Sequence, residues 1–170
     1  MADNKILHAV HDGVHVLRFL GDVRYPLSPS LDHFLQGLFS EATPQGFVVD
    51  LTETRSIDST NLGLLVRIAK FMQRCDRPRV TIISKREEIN EVLACLGFDK
   101  VFNIVAHGGG EPLAGKALAL EETDKAAMLD TLLKAHQTLM NLNEQNKDLF
   151  RDVVAMLEKE QADKSSAPGA

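Results

Sequence analysis

Ser56, Asp58, Ser59 and Thr60 bring three hydroxyls and a carboxylate into one short stretch. It lies between an apolar run ending at Asp50 and a helical pattern beginning near Asp58. Downstream, apolar residues fall at Leu65, Ile68, Ala69 and Met72, the i, i+3, i+4, i+7 spacing of a one-sided helix. Asp58 and Ser59 therefore stand where a helix should begin, and both are favoured N-cap residues. A helix start exposes unpaired N–H groups that favour an anion. A hydroxyl at that point is suited to accept phosphate. The plain alternative is a cap and nothing more, in which case Ser59→Ala costs about 0.5–2 kcal/mol of stability and leaves interactions alone.

Other chemistry finds less support. Asp50 and Asp58 could be drawn as a carboxylate pair for acid–base work, but an end-of-strand hydrogen bond and a cap account for them. His8, His11 and His15 do not have the spacing of a zinc motif, and no cysteine or carboxylate cluster joins them. They read as solvated strand residues, with His8 and His11 on opposite faces. His107-Gly108-Gly109-Gly110-Glu111-Pro112 lacks the Lys-Ser/Thr of a phosphate loop, and no Gly-x-Ser-x-Gly elbow occurs. Nucleotide binding at a sheet edge has no motif behind it. No catalytic residue, metal site or cofactor is expected, and the chain reads as a non-enzyme.

The elements that position Ser59 alternate along the chain. Lys5 to Val10 and Val14 to Leu20 are β-rich runs around an Asp12-Gly13 hairpin signal. Ser28-Pro29 opens a helix with a cap and a proline in the first turn, and Leu31, Phe34, Leu35, Leu38 and Phe39 form its apolar stripe. Phe47 to Leu51 reads as the central strand, followed by a short polar loop and the Ser59 helix. Val80 to Ile83 is another buried strand. Ser84-Lys85-Arg86-Glu87 reads as a capping box, Gly97 ends the helix it opens, and Val101 to Ile104 is a last strand. The order β-β-α-β-α-β-α-β predicts an α/β fold, a mixed and largely parallel sheet with helices against it.

Asp50-Leu51, followed by Ile57-Asp58-Ser59-Thr60, Leu62 and Gly63, resembles the signature of STAS-domain anti-sigma factor antagonists. The helix that ends Leu96-Gly97 before a short strand resembles that family's C-terminal pattern, so the likeness runs from about Ile6 to Ile104. Asn61 departs from it, standing where the family usually has glycine. Asn tolerates left-handed backbone better than most residues, which would preserve a loop there. The resemblance implies that Ser59 is the serine phosphorylated by a partner kinase, with Thr60 and Ser56 as alternates. It further implies an anti-sigma factor, often a GHKL-type serine kinase, or a response regulator as partner, and a PP2C-type phosphatase that resets the switch. The expected partner-binding residues are Asp58, Ser59, Thr60, Asn61 and Leu62, with Arg55 and Arg67 flanking.

Beyond this STAS-like domain, taken as residues 1–106, the composition changes. Residues 107–120 read as a flexible linker. Residues 121–162 contain neither glycine nor proline, and a heptad runs through Leu129, Leu132, His136, Leu139, Asn143, Asn146, Phe150, Val153 and Leu157. One reading is a continuous helix that pairs with another chain, its mid-seam asparagines setting register. The other is a helical hairpin turning near Asn141-Leu142-Asn143. Residues 163–170 read as a disordered tail.

At 170 residues, 44% hydrophobic and 25% charged, the chain has the make-up of one globular domain with an appendage. A net charge of −5 argues against nucleic acid as the main partner. No apolar run reaches membrane-span length and no apolar leader opens the chain. Cys75, near a helix end, and Cys95, packed on an apolar helix face, are expected to be reduced, as in the cytoplasm. Two functions stay open: a phospho-switched antagonist, or a non-switching STAS scaffold subunit that oligomerises through residues 121–162.

Overall fold

The computed structural model describes residues 4–107 and 115–165. Strands β1 (Lys5–His11) and β2 (Val14–Val23) form an antiparallel hairpin. Its turn uses Asp12 at φ 51° and Gly13 at φ 78°, the paired positive φ values that match the right-handed twist of the flanking strands. The remaining core strands, β3 (Gly46–Asp50), β5 (Thr81–Ile83) and β6 (Asn103–Val105), extend the sheet in parallel from β2. The order across the sheet is β6-β5-β3-β2-β1, with one further short strand beyond β1.

Strand β4 (Thr54–Ile57) occupies the segment expected to be a polar loop. Its alternation is too short and too polar to stand out in sequence. It exists because β2 shifts register between Gly21 and Asp22, which lets β4 pair in parallel with the far end of β2. Gly21, at φ 79°, supplies the backbone for that bulge. Strand β7 (Lys116–Ala117) pairs antiparallel with β1, so part of the expected 107–120 linker is tied to the sheet edge.

Helices α1 (Ser28–Glu41), α2 (Ser59–Arg74) and α3 (Glu87–Cys95) share one buried cluster with the sheet. Phe19, Val49 and Ile82 meet Leu31 and Leu35 of α1, Leu65, Ile68 and Met72 of α2, and Leu93 of α3. Two expected caps are corrected. Ser28 is the first residue of α1, and its hydroxyl donates to the Tyr25 carbonyl at 2.6 Å. At α3 the N-cap is Arg86, which leaves Ser84 too early to cap, with its hydroxyl buried and unpaired among the described residues. Gly97 does end α3, in the left-handed region at φ 78°. Both cysteines are free, and Cys95 is exposed, not packed as expected.

The extension is a hairpin of α4 (Lys125–Met140) and α5 (Glu144–Ser165), with its turn at 141–143. Leu129 and Leu133 of α4 meet Val154 and Leu157 of α5 in a second apolar cluster. A continuous helix is thereby replaced by two that satisfy each other. Helix α5 also runs into the expected tail as far as Ser165, and 166–170 lie outside the described residues. Among the described residues, no helix is long and apolar enough to cross a membrane.

Candidate functional site

Asp58 caps α2. It has extended backbone, and its Oδ1 accepts from the Asn61 N–H at 3.0 Å and from the Asn61 side-chain amide at 2.9 Å. Ser59 and Thr60 follow in the first turn, where backbone N–H groups lack helical partners. Asn61 is an ordinary helical residue: positive φ among non-glycine residues is confined to Asp12 and Asp76 within the described chain. The tolerance of asparagine for left-handed backbone is therefore not what fits it here. Asn61 fits by bonding to the cap, while its Oδ1 is buried without a partner among the described residues.

The other sequence-selected residues are scattered around this turn. Thr60, Asn61 and Leu62 are buried, so Ser59 and Ser56 are the partly exposed hydroxyls of the stretch. Ser56 donates to Asp22 Oδ1 at 2.8 Å and Arg55 pairs with Asp22 Oδ2 at 3.0 Å. The Ser56 bond first, then Arg55, hold the Asp22 carboxyl below the usual carboxylate range. Arg67 is engaged by Asp32 of α1. Neither arginine contacts Ser59. Asp50 works at the strand end: its Oδ1 accepts from Thr52 N–H at 2.9 Å, and Arg18 lies 3.8 Å from its Oδ2.

The residue that does meet Ser59 comes from the extension. Ser59 Oγ and His136 Nε2 of α4 are 2.8 Å apart. His136 Nδ1 faces the Leu132 carbonyl at 2.7 Å. A carbonyl only accepts, so Nδ1 carries the hydrogen, and in the neutral ring Nε2 accepts from the Ser59 hydroxyl. His136 is 7% exposed and sets its ring edge against Phe150. The arrangement orients an imidazole against a hydroxyl, as a nucleophile site would. A groove of about 500 Å³ between α1, α2 and α4 does not include either residue in its lining.

The rest of the hairpin docks nearby. Asn143 and Asn146 both donate to the Leu96 carbonyl, at 3.2 and 3.0 Å, where α3 ends. Leu139 lies fully buried in the main core. On the other side, Glu121 N–H donates to Ser30 Oγ at 3.0 Å. Local spacing could not have found these contacts. The available signal was the polar trio His136, Asn143 and Asn146 inside an otherwise apolar seam.

His8 and His15, expected in solvent, sit side by side on the helix-facing side of β1 and β2, with ring nitrogens 2.9 Å apart. Phe34 lies against His8 and Phe47 against His15. Burial lowers both pKa values, and for His8 the neighbouring His15 adds to it. No group of three or more potential metal ligands forms among the described residues.

A mixed sheet with helices against it, and an Asp-Ser pair starting the helix after the central strands, defines a family. The chain belongs to the STAS domain family, whose profile matches residues 5–108. The fold is shared with the crystal structure of an anti-sigma factor antagonist from Mycobacterium paratuberculosis, at a TM-score of 0.50 and 19% identity, over 63% of this chain and 87% of that one. A Thermotoga maritima protein, proposed to be an anti-sigma factor antagonist, gives 0.54 at 18% identity, over 60% and 86% of the two chains. The anti-sigma factor antagonist SpoIIAA in its unphosphorylated form gives 0.51 at 12%, over 60% and 87%. A comparison with curated proteins finds no match. Helices α4 and α5 lie outside the residues matched by the family profile.

Proposed function

We propose that this protein is an anti-sigma factor antagonist, a binding module and not an enzyme, in a bacterial partner-switching cascade. Unphosphorylated, the first turn of α2 binds an anti-sigma factor or response-regulator partner, and phosphorylation of Ser59 releases it. The observation behind the reading is the Asp58-capped first turn of α2, with a partly exposed Ser59, in a STAS domain. A phosphate there adds roughly −1.5 to −2 charges. The N-terminus of α2 tolerates that charge, while an acidic or apolar partner surface is repelled by it. A serine kinase of the GHKL type and a PP2C-type phosphatase would set and reset the state.

The test is a pull-down from source-cell extract with wild type, Ser59→Ala and Ser59→Asp as baits, with phosphosite mapping of the recovered wild type. The reading expects phosphate on Ser59, partner retention by the Ala form and loss by the Asp form. Identical recovery by all three baits, with Ser59 unmodified, overturns it.

A second reading, a scaffold subunit that oligomerises through the extension, draws on one observation. Leu149, Val153 and Met156 form an exposed apolar stripe on the outer side of α5. Native mass spectrometry decides it: a dimer that Met156→Glu dissolves supports the scaffold, and a monomer at micromolar concentration rejects it.

A further inference from the structure

Gly63 lies one helical turn beyond Ser59 on α2. A Cβ on Gly63 would fall 2.9 Å from the Ala135 Cα of α4, and nearer still to the Ala135 carbonyl carbon and oxygen. Real Cβ atoms do not approach backbone so closely, so the two helices cross here backbone to backbone, with room for no side chain on Gly63. The next residue of α4 is His136, whose Nε2 meets Ser59 Oγ at 2.8 Å. Ala135 and His136 are both nearly inaccessible, at 2% and 7% exposed. The contact thus has the parts of a helix-in-groove complex: a close crossing at a glycine, a small residue above it, and one polar bond that fixes register.

We infer that the Ser59 face of α2 is a helix-docking surface which the chain's own α4 occupies at rest. A partner reaches it by displacing α4 with an amphipathic helix that carries a small residue over Gly63 and a hydrogen-bond acceptor beside Ser59. The nature of that partner rests on the function proposed above; the occlusion rests on the geometry alone. Phosphorylation and the closed hairpin exclude each other, because the phosphoryl group would occupy the space of the imidazole. A dianion at the start of α2 is also better held by water and the helix N-terminus than beneath a buried ring. Linkage makes the coupling reciprocal: whatever lifts α4 exposes Ser59, and a phosphate on Ser59 holds α4 away.

The first arm of the test needs no partner. Full-length wild type, Gly63→Ala and protein carrying phosphoserine co-translationally at position 59 are compared by hydrogen exchange. Amides of α4 are expected to exchange at least tenfold faster in both altered forms, with β2 and β3 unchanged. Wild-type exchange of α4 in the phosphoserine form, or loss of protection throughout the sheet together with α4 in both forms, overturns the inference. The second arm repeats the extract pull-down with wild type and His136→Ala, which leaves α2 untouched. Several-fold greater recovery by His136→Ala supports occlusion, and equal recovery of the same partner overturns it. Faster exchange in α4 with no partner captured by either bait retains the docking surface and removes the antagonist reading.

Discussion

Asp58 and Asn61 are joined twice through one atom, the Asp58 Oδ1, which accepts from both the backbone and the side-chain nitrogen of Asn61. The cap is therefore stronger than a lone N-cap bond. Asp58→Ala should lower stability by about 1–2 kcal/mol, the upper part of the range for a lost cap. Asp58→Asn keeps an acceptor and should lose less than half as much. Urea unfolding followed by far-UV circular dichroism measures both.

Asn61→Gly would install the residue usual in the family. Here it removes a bond to Asp58 and places glycine in a helical turn, which costs about 1 kcal/mol relative to a better helix former. Removing the buried, unpaired Asn61 Oδ1 returns part of that. A net loss of about 0.5–1 kcal/mol is expected, read from the same urea curves. A gain would show that the buried carbonyl dominates.

The His8–His15 pair sets a pH response. Both folded pKa values lie below the ordinary 6.5, so near neutrality the folded state holds fewer protons than the unfolded chain. Stability then rises with pH across that interval. The contribution is complete above about 6.5 and is lost as pH falls through it toward the lowered folded values. Urea midpoints at about pH 7.5 and about pH 5.5 should differ in that direction, and His15→Gln should shrink the difference. An unchanged difference would assign it to other groups.

Asn146 is fully buried where α5 meets the end of α3 and donates to the Leu96 carbonyl. Asn146→Ala should cost about 0.5–1.5 kcal/mol, the worth of one hydrogen bond, since Asn143 still donates to the Leu96 carbonyl. Leu139→Ala, which removes a side chain of α4 from the main core, should cost about 2–5 kcal/mol. Calorimetry checks both. If the hairpin and the STAS core unfold as one unit, each substitution moves a single transition; a transition that splits shows the hairpin melting first.

Much of the fold was legible because its signals are local. Asp12-Gly13 can form only a tight turn, Gly97 ends α3 through its own backbone, and the Leu65 to Met72 periodicity is that of α2. Strand β4 was not legible because Thr54 to Ile57 gains its partner only through a bulge at Gly21, over thirty residues earlier. The Ser84 capping box failed because α3 starts at Glu87 and leaves the serine outside the turn. Ser59 was visible from its capping context and the family signature. His136 was not, because its bond spans 77 residues of sequence. The polar interruption of the heptad has its partners within the chain: His136 meets Ser59, and Asn143 and Asn146 donate to the Leu96 carbonyl.

Strand β7 joins β1 shortly before α4 begins, with Lys116 and Ala117 opposite His8 and Leu7. It fixes where the hairpin is moored. An α4 lifted from Ser59 stays tethered close by, at an effective concentration on the order of millimolar for a short connection. Diluting the protein does not loosen it. A free partner at ordinary cellular levels would meet a competitor that is always present in excess, and its apparent affinity is the intrinsic one multiplied by the fraction of chains that are open. On the docking inferred above, the mooring at β7 would set a threshold for response, adjustable by the length of chain between β7 and α4 without any change at Ser59.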